Sequence, residues 1–123
     1  MNVKLACVIR TDLGMSPGLL AAQACHINDE WIRRRVLQKL PFSEPELQWL
    51  SGPVISVLAV NIPEELDQLI LKAKENRVNY HIWKDTIPSK IFAGQFLELV
   101  VGVSFGPDDD EKVKQITGTL PLY

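Results

Sequence analysis

Asp85, Ser89 and Lys90 fall in one short stretch, WKDTIPSKI, and their side chains make a set that acyl chemistry uses. A carboxylate orients water or a hydroxyl, a serine hydroxyl donates to a developing oxyanion, and an ammonium stabilises negative charge. The same residues also suit a plain loop in which Asp85 closes a turn and Lys90 is solvated. Gln23 and His26 form a second group: spaced by three, they share one helical face, a turn inside the helix that Ser16-Pro17 opens. A histidine so placed also fits a helix interior, bonded to a backbone carbonyl. Arg10-Thr11-Asp12, just upstream, is a third polar group. His81 reads as a strand residue on one sheet face. Arg33, Arg34, Arg35 and Lys39 make a basic helix end, which the macrodipole favours and which solvent covers more readily than a phosphate does.

Other chemistries leave no trace. There is no Walker-type loop, G-x-S-x-G elbow, dinucleotide fingerprint or metal-ligand spacing, so neither a cofactor nor a metal is expected. Cys7 and Cys25 are too few for a disulfide framework and read as reduced, buried thiols. The 123 residues fit one domain, 1–123, with 13 basic against 15 acidic side chains and a net charge of −2. A field of that sign does not gather polyanions, so any nucleic-acid binding has to use a local basic patch. MNVKLACVIR is charged too early for a secretory signal and no apolar run approaches the ~18 residues of a membrane span, which points to the cytoplasm.

The elements that must position these groups follow from periodicity. Val3, Leu5, Cys7 and Ile9 alternate in a first strand with both faces apolar, and Leu20, Ala24, Ile27 and Trp31 draw one stripe on a helix running to about Gln38. Ser43-Glu44-Pro45-Glu46 spells a capping box for a helix ending near Leu50. VISVLAV, from Val54 to Val60, has almost no polar face and reads as a central strand. Asn61-Ile62-Pro63-Glu64 repeats the capping pattern ahead of Leu66, Leu69, Ile70 and Ala73. A shorter strand runs from Val78 to Lys84-Asp85, then a loop from Thr86 to Gly94, then a strand from Phe96 to Phe105 that Gly106-Pro107 stops. Asp108 to Ile116 makes the final helix. Strands alternating with helices predict an α/β fold, a three-layer α/β/α sandwich with early parallel connections. In such sheets a site sits outside the carboxyl ends of the strands, here the loops after Ile9, Val60 and Trp83.

VIRTDLGM with the following glycine and AAQACH, PVISVLAV, WKDTIPSKI, and the ending GPDDDEKVKQITGTLPLY resemble, in order and spacing over nearly the whole chain, the archaeal and eukaryotic class of peptidyl-tRNA hydrolases. The resemblance implies a four-stranded mixed sheet with helices on both faces, a homodimer, and cleavage of the ester joining a peptide to the terminal ribose of tRNA. It matches Asp85, Ser89 in place of the family threonine, and Gln23 to the family's site, which makes them the catalytic candidates, and His26 to the family histidine; His26, with Arg10 and Asp12 from the loop after the first strand, is expected to contact substrate. The family carries lysines on both sides of the turn glycine that Gly18 matches, the second regarded as catalytic. Here Pro17 and Leu19 stand there. The arginine before the threonine has become Pro88, and the glutamine after it Lys90. Two readings follow: a hydrolase in which Lys90 supplies the missing positive charge, or a non-hydrolytic relative that keeps the fold as a binding or interaction module.

Overall fold

The computed structural model describes residues 2–88 and 96–123. The elements run β1 (Val3–Arg10), α1 (Pro17–Leu37), α2 (Glu44–Ser51), β2 (Ile55–Val60), α3 (Pro63–Glu75), β3 (Tyr80–Pro88), β4 (Phe96–Asp109) and α4 (Asp110–Thr117). The four strands form one mixed sheet in the order β2-β1-β4-β3. β1 pairs parallel with β2, and β4 lies antiparallel between β1 and β3, so β1, β2 and β3 all point the same way.

Two apolar layers sandwich this sheet. Leu5, Cys7 and Ile9 pack with Ile27 and Trp31 of α1 and Trp49 of α2 on one face. Ala6 and Val8 pack with Leu66, Leu69 and Ala73 of α3 and Val113 and Ile116 of α4 on the other. Alternate residues of β1 thus serve opposite cores, which is why the strand carries no polar face. The three-layer α/β/α arrangement agrees with the sequence reading.

The helix starts follow their capping residues. Ser16 Oγ accepts from the Leu19 N–H at 3.4 Å, and Pro17 fills the first turn of α1. Ser43 and Glu46 form the reciprocal box, and the Glu46 carboxylate, almost wholly buried, also takes Arg35 of α1 at 3.1 Å. That shared carboxylate fastens the end of α1 to the start of α2. α3 departs from the expected pattern: Ile62 is its cap residue and makes no side-chain bond, while Asn61 Oδ1 accepts from Thr11 Oγ1 at 3.0 Å. Asn61 therefore ties two loops together instead of capping a helix.

Four further expectations need correction. β2 is an edge strand, not a central one; its apolar character reflects helices on both faces, and its open side is covered by Pro121–Tyr123. There Ala59 N–H donates to Pro121 O and Tyr123 N–H to Val57 O, both at 3.0 Å. β3 continues through Thr86–Pro88, paired with Phe96–Glu98, where a loop is expected; the remainder of that loop, Ser89–Gly94, lies outside the described residues. Gly106-Pro107 does not stop β4: Gly106, at φ +98°, lets the strand bend past Lys4 and go on to Asp109. Cys7 is buried as expected, but Cys25 is exposed, on the side of α1 away from the sheet stripe.

Candidate active site

The carboxyl ends of β1 and β3 lie at the same end of the sheet, and β3 with β4 reaches beyond it. Trp83 is level with Ile9, both paired with Gly102, whereas Lys84–Pro88 pair with β4 residues past the last partner of β1. This overhanging ribbon carries Asp85. Gly102 makes the close approach of α1 to the sheet possible, since a Cβ there would lie 2.7 Å from Ile27 Cδ1 and 2.5 Å from the Val8 carbonyl oxygen. With Ile27 held down, Gln23 one turn earlier is brought over the ribbon.

Gln23 is 2% exposed and both ends of its amide are used. Its Nε2 donates to Asp85 Oδ2 at 2.9 Å, and its Oε1 accepts from the Trp83 indole Nε1 at 2.7 Å. Asp85 Oδ1 accepts from the Thr86 backbone N–H at 2.8 Å. Each oxygen of the carboxylate is therefore held by one donor and keeps a lone pair for another. Asp85 is half-buried, so the carboxylate keeps some access to solvent. His26 stacks on Trp83 with ring centroids 4.9 Å apart and planes 18° from parallel, and is itself exposed. Gln23, His26, Trp83 and Asp85 form one connected group.

Arg10 and Asp12 take a different part. The Arg10 guanidinium, 8% exposed, grips Asp12 through two bonds of 2.9 and 2.8 Å and also donates to the Val100 carbonyl at 3.2 Å. A fork so engaged braces the loop after β1 against β4. The Thr11–Asn61 bond braces the same loop against the end of β2. Ser89 and Lys90 lie outside the described residues. Leu19 is half-buried in the first turn of α1, which carries no charged side chain; Gly18 belongs to that helix turn, while the glycine in a left-handed turn conformation is Gly14, at φ +63°.

His81 is not part of the group. It sits on the α1 side of β3, where burial, and secondly the nearby Arg34 charge, push its pKa down to about 4; its Nδ1 has no partner among the described residues. The basic end of α1 is largely neutralised, with Arg34 on Glu30 at 2.9 Å and Arg35 on Glu46.

Trp83 and the Thr86 N–H were not indicated by residue chemistry alone. The available signal was period two: Trp83 and Asp85 share a face of β3, the one α1 covers.

Comparison with known proteins places this geometry in context. A profile of the family described as peptidyl-tRNA hydrolase PTH2 matches residues 3–123. A peptidyl-tRNA hydrolase of Methanothermobacter thermautotrophicus is 32% identical over 120 residues, covering 98% of this chain and 99% of that one. The probable peptidyl-tRNA hydrolase 2 of Dictyostelium discoideum is 37% identical over 124 residues, covering 99% of this chain and 55% of that longer protein. Among solved structures, a protein of unknown function from Agrobacterium superposes over the full chain and 98% of its own, with a TM-score of 0.55 and 16% identity, a likeness of fold alone.

Proposed function

The chain belongs to the peptidyl-tRNA hydrolase PTH2 family, and from that premise we propose that it hydrolyses the ester between a peptide, or an N-blocked amino acid, and tRNA. The observation that carries this reading is the half-buried Asp85 carboxylate, fixed by Gln23 and by the Thr86 N–H with acceptor capacity left on each oxygen. In that position it orients a water toward the ester carbonyl carbon and takes its proton. The C–O bond to the ribose oxygen then breaks as that oxygen takes the proton back from Asp85, leaving a free hydroxyl on the tRNA and a peptide acid that loses its own proton to solvent as the carboxylate. Ser89 donates to the carbonyl oxygen as it gains charge, and Lys90 supplies the cation. Arg10 and Asp12 act on substrate by holding the loop after β1 in place, and His26 contacts substrate directly. The reaction needs water alone as co-reactant.

The same reading puts the protein in the cytoplasm, as a homodimer. The exposed Leu37 at the end of α1, Leu40 in the connection that follows, and Leu47 and Leu50 on α2 support association, since each leaves apolar surface that a partner would cover. No helix among the described residues is long and apolar enough to cross a membrane.

A second reading, a non-hydrolytic binding module, is favoured by Leu19, a neutral side chain where the family resemblance calls for the catalytic lysine. Losing one group that faces developing charge costs about 3 kcal/mol of transition-state stabilisation, roughly a hundredfold in rate. The test is release of N-acetylaminoacyl groups from tRNA by the parent, Lys90→Ala and Leu19→Lys proteins, each first shown to be folded by thermal melting. The hydrolase reading expects parent activity that Lys90→Ala abolishes and Leu19→Lys raises. No cleavage by either the parent or a folded Leu19→Lys protein replaces it with the binding-module reading.

A further inference from the structure

β2 closes one side of the sheet, and its outer edge is where the sheet can be extended by another strand. The bonds from Ala59 N–H to Pro121 O and from Tyr123 N–H to Val57 O show that Val57 and Ala59 turn their backbone groups outward, and by the alternation of a strand so does Ile55. From Val54 to Val60 the chain has no charge, no proline and no glycine, a composition that pairs readily with extended chain. Edge strands of this kind promote edge-to-edge association unless something blocks them. The Pro121–Tyr123 segment is suited to block this one. Because Pro121 O and Tyr123 N–H face β2, the backbone groups of Leu122 between them face away. Pro121 itself has no N–H to offer. Beyond this segment the sheet presents the backbone of Leu122 in place of that of Val57 and Ala59. Leu122 is 77% exposed, so backbone bonds rather than burial of its side chain hold it there.

We infer that Pro121–Tyr123 is a detachable guard on the β2 edge, and that the strand it keeps out is β2 of a second copy of this chain. Antiparallel pairing of β2 with itself is symmetric about a two-fold axis, so the outward N–H groups of each strand meet the outward C=O groups of the same strand in its partner. With no charge in either strand, nothing electrostatic opposes the pairing. The guard is partial, because its last bond is to Val57. Val54 and Ile55 stay exposed at the uncovered end, where a second copy first gains a hold, and displacement of the guard completes the ladder. This is a backbone contact, different in kind from the apolar surface of α1 and α2 invoked for the homodimer, and it does not depend on the hydrolase reading.

The experiment compares the full chain with Tyr123→Pro, which removes the N–H given to Val57, and with Tyr123→Leu, which keeps it. Amide hydrogen exchange at Ala59 reads the guard, and sedimentation velocity over a range of protein concentrations reads assembly. Unchanged exchange along β4, inside the sheet, shows that each variant is folded. Loss of one neutral hydrogen bond should speed Ala59 exchange about fivefold in dilute Tyr123→Pro protein. As concentration rises, this variant should form species larger than the dimer and Ala59 should become protected again, while the parent and Tyr123→Leu keep their starting mass. Adding Ile55→Lys to Tyr123→Pro puts a charge on the exposed part of the edge, where pairing brings like charges together, and should return the mass to that of the parent. Parental exchange at Ala59 in Tyr123→Pro overturns the guard. Faster exchange with a mass that never exceeds the parent's overturns the second copy as the occupant and leaves the edge to solvent or to another extended segment. Assembly that survives Ile55→Lys places the contact elsewhere and overturns the β2 edge.

Discussion

Replacing Gln23 by methionine tests whether the buried amide orients the carboxylate. The two side chains are close in volume, so no large cavity opens and the loss is confined to hydrogen bonds. One of these, Nε2 to Asp85 Oδ2 at 2.9 Å, is a bond to a charged group and contributes about 1.5–3 kcal/mol net. The other, from Trp83 Nε1 at 2.7 Å, is neutral and contributes about 1 kcal/mol. Asp85 is half-buried and recovers part of its loss by binding water. The expected destabilisation is therefore about 2–3 kcal/mol, read from urea denaturation as a lower midpoint with an unchanged slope. Asp85 keeps the Thr86 N–H but gains freedom about its χ angles, which should lower kcat for ester cleavage by about 10- to 100-fold. Asp85→Asn should cost more, and the double variant should be no worse than Asp85→Asn alone, because Gln23 acts through Asp85. Gln23→Glu adds a pH signature. Two carboxylates in contact raise the folded-state pKa of the pair, so this variant should be most stable below the ordinary carboxylate pKa of about 4 and lose stability as pH rises through the raised value. A folded Gln23→Met protein with parental kcat, or a double variant whose losses simply add, refutes the orienting role.

The remaining predictions concern stability. His81 has its folded pKa held down at about 4, below the ordinary 6.5, so neutral His81 favours the fold above pH 6.5 and that stability is lost as pH falls through 4. The limb should amount to about 2–3 kcal/mol between pH 6.5 and 4, and His81→Leu should flatten it in urea denaturation measured across that range. Gly102→Ala should lower stability by about 1–3 kcal/mol or more, because the new methyl meets a backbone oxygen that cannot give way as well as Ile27; an unchanged thermal midpoint would count against the α1–sheet approach described above.

How much of this could be read in advance differs by element. The Ser16 and Ser43 caps were legible because a cap is a local event, decided by the oxygen of one side chain and an N–H three residues on. Asn61 carries the same signal and misleads, because its oxygen is taken by Thr11 from a loop fifty residues away in the chain. The position of β2 failed for a similar reason. Burial on both faces says nothing about the hydrogen-bonding edges, and the edge of β2 is covered by Pro121–Tyr123, a segment with no strand signature of its own. Thr86–Pro88 read as loop, yet it is extended because β4 offers a matching strand beside it. At the candidate site, the pairing of Gln23 with Asp85 was foreseeable from the rule about strand ends together with the family resemblance. The bond from Trp83 was not, since it depends on the depth at which α1 sits over Gly102, and no single residue encodes that depth.

The hydrogen bonds around Gln23 run one way, from indole to amide to carboxylate. A primary amide transmits polarity along such a chain but at ordinary pH neither gives up nor accepts a proton. The Thr86 N–H on the other oxygen is equally unable to accept one. Asp85 is thus closed to proton traffic on its protein side. In the proposed hydrolysis, a proton that Asp85 takes from water can leave only away from these partners, toward solvent or toward the departing ribose oxygen that would lie on the same side.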